Sequence, residues 1–154
     1  MTSEHAFLRE RLAIVEHWLA TAERQQFVYE CKGRVRQLLS PPIREDLTRK
    51  REARLLRKLL SRTKEGQVVR TLEDWKSQLR TFLSDHRQQY KEMQDAYDAW
   101  WQLPLYQRER VPRPPEPPPP RYVDAEGTPW IVDDRFLALF DDLIERLQKW
   151  LAET

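Results

Sequence analysis

A proline-rich segment places the strongest limit on how this chain can fold. Residues 112–120 read PRPPEPPPP and hold seven of the eleven prolines of the chain. Proline lacks the amide hydrogen that helices and sheets need, and its ring fixes φ, so this segment can form neither a helix nor a central strand. We therefore expect an extended polyproline II conformation here.

Two helices are predicted at the start of the chain. Apolar residues recur at three- and four-residue steps from Phe7 to Ala22, which predicts a helix that begins near Ser3. It is expected to run to about Leu39, with Gly33 as a candidate break. Pro41 and Pro42 then end it and open a second helix, which should cover about residues 43–63.

A third helix with a strongly aromatic stripe is predicted next. Thr71-Leu-Glu-Asp74 has the form of a capping box and is expected to begin a helix of about 30 residues, or ~45 Å. Pro104 lies just beyond its end. The stripe consists of Trp75, Leu79, Phe82, His86, Tyr90, Met93, Tyr97 and Trp100.

The chain after the proline-rich segment predicts a turn and a final helix. Tyr122-Val123 and residues 130–132 flank a polar sequence in which Gly127 can supply a positive φ, so this region is either a small hairpin or a tight loop. Asp133 or Asp134 is expected to cap the last helix. Its apolar face holds Phe136, Leu137, Phe140, Leu143, Ile144, Leu147, Trp150 and Leu151, and its polar face holds Asp141, Asp142, Glu145 and Lys149.

Four amphipathic helices predict an all-α, four-helix bundle-like domain with a proline-rich arm and, before the last helix, either one small β-hairpin or a loop. The chain of 154 residues is long enough to bury one core. Residues 1–103 should form a three-helix portion with a basic second helix, and residues 104–121 the proline-rich arm. Residues 122–154 should add the hairpin or loop and the C-terminal helix that completes the same domain.

Charge is distributed unevenly along the chain. Residues 32–70 hold 13 Lys and Arg against four acids, a local charge of +9, although the whole chain carries only +2. Residues 122–154 hold eight acids against three bases, which gives −5. Either the acidic last helix neutralises the basic segment within the fold, or the basic segment meets a polyanionic partner.

The second helix separates its cations from its leucines. Leu47 and Arg49 are the two residues that break this separation. Ala53, Leu55, Leu56, Leu59 and Leu60 form one half of the helix. The candidate nucleic-acid-binding residues are those of the other half, together with three nearby bases: Lys50, Arg51, Arg54, Arg57, Lys58 and Arg62, with Lys32, Arg34 and Arg36. Such a surface suits phosphates, because each neutralised phosphate releases condensed counterions and arginine binds phosphate oxygens bidentately.

The leading hypothesis is thus a non-catalytic helical binding subunit that contacts the backbone of RNA or single strands, within a larger complex. Exposed aromatics would support this hypothesis, and Trp100-Trp101 with Tyr106 are the candidates. Packing is the favoured interpretation of these rings, because Trp100 continues the aromatic stripe and prolines stack on aromatic grooves. The sequence leaves open whether RNA or DNA is bound, and it leaves open the oligomeric state.

The alternative is an adaptor or scaffold that docks protein partners through the proline-rich arm and exposed apolar faces. Residues 119–122 match the PPxY pattern bound by WW domains, and the candidate partner-binding residues are Pro117, Pro119, Pro120 and Tyr122. An arm that only packs on the bundle explains the same residues.

A ribonuclease is the second alternative. The Arg-x5-His spacing is similar to that of helical HEPN ribonucleases and occurs twice, as Arg11 with His17 and as Arg80 with His86. Chance accounts for about one such pair, and His86 in the aromatic stripe is expected to be a core histidine. We predict no enzyme, no metal site and no cofactor, because the three glycines form no phosphate-binding loop and Cys31 is the single cysteine.

The sequence also bears on location. The N-terminus has charges among its apolar positions, unlike a signal peptide, and no apolar run approaches the ~20 residues that cross a bilayer. A lone cysteine fits a reducing compartment. We expect a cytoplasmic protein that does not bind membranes.

Overall fold

The computed structural model describes residues 3–31 and 41–153, with side chains for residues 3–22 and 45–153. It confirms an all-α protein with a small hairpin before the last helix. The helices are α1 (Glu4–Cys31), α2 (Pro41–Arg62), α3 (Val68–Gln89), α4 (Lys91–Trp101), α5 (Leu105–Arg108) and α6 (Asp134–Ala152), and the strands are β1 (Arg121–Val123) and β2 (Pro129–Ile131).

The chain forms two compact units. The first consists of residues 1–76 and 134–154, and the second of residues 77–133. Helix α3 begins in the first unit and continues in the second. The three segments predicted from the sequence divide the chain differently, and they stay a prediction about domain organisation.

The first unit is a helical bundle in which the leucine half of α2 packs against α1 and α6. Burial of this apolar surface is the main driving force for the packing. The buried residues of this unit include Phe7, Leu8, Val15, Ala53, Leu55, Leu56, Leu59, Leu72, Phe136, Leu139, Phe140, Leu143 and Leu147. The predicted apolar faces of the second and last helices supply much of this core, while their members Leu60, Leu137, Ile144, Trp150 and Leu151 are half-buried. Leu139 is a core residue that the predicted face did not include.

The hairpin in the second unit is held by one carboxylate. Strands β1 and β2 are antiparallel, with Tyr122 opposite Trp130. Asp124 Oδ1 accepts hydrogen bonds from the backbone N–H groups of Glu126 and Thr128, both at 2.9 Å, and Oδ2 accepts from Trp130 Nε1 at 2.9 Å. Gly127 has a φ of 83°, which confirms the predicted positive φ. Of the two predicted alternatives, a small hairpin and a tight loop, this region is the hairpin.

The predicted capping box is wrong. Helix α3 begins at Val68, and the N–H of Thr71 already donates to the carbonyl of Gln67 at 3.0 Å. The carboxylate of Glu4, from α1, accepts hydrogen bonds from the N–H groups of Gly66 and Val68 instead. A side chain more than 60 residues away thus supplies the cap, which frees Thr71 to lie within the helix.

The single long third helix is also wrong, since Tyr90 separates α3 from α4. Its φ of −104° and ψ of 15° leave the helical region. The helical hydrogen bonds continue past it, because the N–H of Tyr90 donates to His86 at 3.0 Å and that of Gln94 to Tyr90 at 2.9 Å. The break is therefore local.

The other predicted bounds agree closely with the structure. Helix α2 begins at Pro41, in the first-turn position that proline favours. Residues 112–120 form neither helix nor strand, as predicted, while the short helix α5 lies earlier in the predicted arm. Helix α6 begins at Asp134. The predicted continuation of the first helix past Cys31 and its break at Gly33 lie outside the described residues.

Candidate nucleic-acid interface

Among the side chains of α2 that the structure describes, residues 45–62, four cations lie along the solvent side. Lys50, Arg54, Arg57 and Arg62 are all exposed, and we name them the α2 stripe. They recur at steps of three to five residues, so they extend over ~18 Å of the helix. On the opposite side, Leu55, Leu56 and Leu59 are at most 1% exposed. The leucines fix the helix in the core and leave the stripe in water.

Two other predicted cations of α2 lie on aromatic rings. The guanidinium carbon of Arg51 is 5.1 Å from the centroid of Phe136, and Nζ of Lys58 is 5.0 Å from that of Trp75. Both side chains are half-buried. A cation over a ring contributes about 0.5–2 kcal/mol, so these two residues help to hold α2 on its neighbours.

Lys50 and Arg57 of the α2 stripe form ion pairs. Lys50 Nζ is 3.0 Å from Asp46 Oδ2, and Arg57 Nη2 is 2.8 Å from Glu16 Oε1. The side chains of Lys50 and Arg57 are 52% and 55% exposed. Glu16 is 49% exposed, whereas Asp46 is 20% exposed. A pair with both partners exposed contributes about 0–1 kcal/mol, so a phosphate can replace Glu16 at little cost.

Arg49, which interrupts the separation of cations from leucines along α2, binds a buried carboxylate. It pairs with Glu52, whose side chain is fully buried, and with Glu45 at 2.8 Å. Arg11 from α1 binds the same Glu52, with Nε 2.8 Å from Oε2 and Nη2 3.2 Å from Oε1. A carboxylate buried among leucines needs such partners. Arg49 is therefore placed there by an ion-pair network that the sequence does not reveal.

The acidic face of α6 makes two pairs away from the α2 stripe. Asp141 pairs with Lys76 of α3, and Asp142 pairs with Arg146 of α6 itself at 2.9 Å. These two carboxylates thus neutralise cations other than the stripe. Among the predicted binding residues, Lys32, Arg34 and Arg36 lie outside the described residues.

The candidate partner-binding residues at the proline-rich arm lie in two different surroundings. Pro117, Pro119 and Pro120 line a cavity of the second unit. Tyr122 lies in β1, half-buried, with its ring edge-on to Phe82 at 5.3 Å. A WW domain binds an accessible tyrosine, so it would have to displace this ring contact.

The two Arg-x5-His pairs have separate surroundings. Arg11 is held by Glu52, whereas His17 is exposed on α1. Arg80 is exposed, whereas the half-buried His86 has its ring 6.2 Å from Phe82 and 4.6 Å from Tyr90. The expected packing role of His86 agrees with these ring contacts.

The paired tryptophans lie at the end of α4. Trp100 Nε1 donates to the carbonyl of Val111 at 2.9 Å, and Arg108 lies over the ring of Trp101 with its guanidinium carbon 5.5 Å from the centroid. Trp101 is nevertheless 47% exposed. This end of the second unit therefore presents aromatic surface to solvent.

Within residues 3–31 and 41–153, no group of three or more His, Cys, Asp or Glu side chains could hold a metal ion. The helices described there are also too short or too polar to cross a bilayer. No protein-family model, curated protein or solved structure matches the chain.

Proposed function

We propose that this protein is a non-catalytic helical subunit that holds the sugar-phosphate backbone of RNA or single strands through the α2 stripe, within a larger cytoplasmic complex. The observation that carries the proposal is the segregation of α2. Its solvent side presents four exposed cations in succession, while its leucine side is buried in the core.

The chemistry of the stripe suits phosphate. Three of its four residues are arginines, whose planar guanidinium groups donate paired hydrogen bonds to phosphate oxygens. The carboxylate beside Arg57 belongs to an exposed pair, so its exchange for phosphate costs little. Backbone contacts carry no base information, so binding is expected to show little sequence preference.

Charge reversal tests the proposal. The variant Arg54→Glu, Arg57→Glu, Arg62→Glu should abolish salt-sensitive binding of fluorescent RNA and single-stranded DNA in an anisotropy titration. A matched variant reverses the same number of exposed arginines in the second unit, at Arg80, Arg110 and Arg113. It should retain most of the affinity. Equal affinity of the stripe variant and the unmodified protein overturns the proposal.

A second candidate function is protein docking, and one apolar patch favours it. Around the end of α4, Trp101, Leu105, Tyr106 and Val111 are 47%, 65%, 63% and 46% exposed. Apolar side chains clustered on a surface are typical of interaction sites. Two results together would show an adaptor. The protein would bind no nucleic acid, and the Leu105→Ser, Tyr106→Ser variant would lose a protein partner that the unmodified protein binds.

A further inference from the structure

The second unit contains a cavity of about 510 Å³ between its helices and the proline-rich segment. His86, Tyr90 and Lys91 line one side, and Pro117 to Pro120 line the other. Leu83 and Val132, both buried, also line it. The volume is within the range of sites that take one small ligand.

Rings line both sides of the cavity. On the helical side the rings of His86 and Tyr90 lie 4.6 Å apart with their planes inclined by 43°, at the junction of α3 and α4. On the other side lie four consecutive proline rings. A planar, aromatic ligand can stack on one of these aromatic rings and pack against the prolines, because ring faces stack on aromatic side chains and pack on apolar rings.

The proline side is fixed in position. The N–H of Val132 donates to the carbonyl of Pro120 at 2.9 Å, and Tyr122 packs on Phe82 at 5.3 Å. The end of the proline segment is therefore bonded to the residue after β2, and the strand that follows it packs on α3. A cavity whose sides are already held in place loses little entropy when it binds a ligand.

Polar groups border the cavity. Lys91 is exposed there and can meet an anion, and Arg87 lies beside it. Gln94, Asp95 and Asp133 add an amide and two carboxylates, which accept hydrogen bonds from ring amino groups. A ligand with a planar heterocycle and a phosphate uses both kinds of group.

We infer that this cavity binds one unpaired nucleotide of a single strand, with its base between the His86–Tyr90 rings and the prolines and its phosphate at Lys91. The inference rests on the proposed function, because it supplies the base contacts that the α2 stripe lacks. It gives Pro117, Pro119 and Pro120 a role as a binding surface for a base instead of a docking motif for a protein.

The test compares a short adenine RNA oligomer with an abasic oligomer of equal length, both titrated into the full chain. The unmodified protein should bind the base-bearing oligomer about tenfold more tightly, which is a typical value for one stacked base. Tyr90→Leu should remove this preference, and Tyr90→Phe should keep it. Lys91→Gln should weaken both oligomers by a similar factor, and Arg110→Gln, an exposed control in the same unit, should change neither.

The outcomes separate this inference from the proposed function. If Tyr90→Leu keeps the preference for bases, or if the unmodified protein has none, the cavity is not a nucleotide site and the α2 stripe is unaffected. If Tyr90→Leu removes the preference while charge reversal of the stripe leaves binding intact, the cavity assignment stands and the proposed function fails. If the unmodified protein binds neither oligomer, the cavity inference and the proposed function both fail.

Discussion

Arg11 of α1 and Glu52 of α2 form a buried ion pair in which Arg11 Nε lies 2.8 Å from Glu52 Oε2. The Glu52 side chain is fully buried, and Arg49 binds the same carboxylate. The pair joins the two helices at a defined rotation of α2. That rotation places Leu55 and Leu59 in the core and the α2 stripe in solvent.

The substitution Glu52→Gln should destabilise the fold by about 3 kcal/mol. It leaves the guanidinium groups of Arg11 and Arg49 mostly buried without a carboxylate between them, which is the costly way to break a buried pair. The free energy of unfolding, measured by urea denaturation and far-UV circular dichroism, checks this value.

Glu45 provides the matched control for this prediction. It also pairs with Arg49, at 2.8 Å, but its side chain is 46% exposed. Glu45→Gln should therefore cost less than about 1 kcal/mol. Equal stability of the Glu52→Gln variant and the unmodified protein would mean that this network does not orient α2.

Glu65, in the turn before α3, caps α1, and Glu4 of α1 caps α3; removal of these two side chains should have unequal effects. Glu65 accepts hydrogen bonds from the N–H groups of Glu4 and His5 at the start of α1, while Glu4 accepts those of Gly66 and Val68. Glu65→Ala should cost about 1 kcal/mol, as for a helix cap.

Glu4→Ala should cost more, about 2 kcal/mol, because Glu4 is only 4% exposed and its partners become unsatisfied near the core. Glu73→Ala, an exposed acid within α3, serves as the control and should change the unfolding free energy by less than about 0.5 kcal/mol. A Glu4 variant as stable as the Glu73 variant would contradict this account of how α3 begins.

The hairpin should depend on Asp124 more than on Gly127. Asp124→Ala removes the acceptor of three hydrogen bonds, including the indole N–H of Trp130, and should cost about 2 kcal/mol. Gly127→Ala should cost about 1 kcal/mol. A Cβ there meets no atom within 4 Å, so only the φ of 83° opposes alanine. Hydrogen exchange of the backbone amides of residues 121–131 measures both losses of stability. Equal protection in the two variants and in the unmodified protein would refute these values.

Local pattern was enough to predict the helical fold. The spacing of leucines in residues 41–62 and of apolar residues in 134–152 gave both helices and their buried faces, because a face that repeats every 3.6 residues needs only neighbours in sequence to be recognised. The prolines at 41 and 112–120 and the glycine at 127 act through their own backbone geometry, so they were informative for the same reason.

Features that depend on distant residues could not be predicted. Thr71 has the form of a cap, yet Glu4 supplies the cap three residues earlier. Arg49 interrupts the leucine half of α2 because it pairs with Glu52, which also binds Arg11 of α1. The cavity of the second unit requires α3, α4 and the proline-rich segment side by side, which no single stretch of sequence shows. The sequence indicates its parts separately, as the aromatic stripe with His86 and Tyr90 and as the prolines of residues 117–120.

The salt dependence of binding tests the central claim most directly. For a fluorescent single-stranded RNA, the logarithm of the association constant should fall linearly with the logarithm of salt concentration, and each lost phosphate contact should reduce the slope by ~0.7. The neutral variant Lys50→Gln, Arg54→Gln, Arg57→Gln should therefore lower the magnitude of the slope by about 2 relative to the unmodified protein. An unchanged slope would contradict the assignment of the α2 stripe as the surface that holds the nucleic-acid backbone.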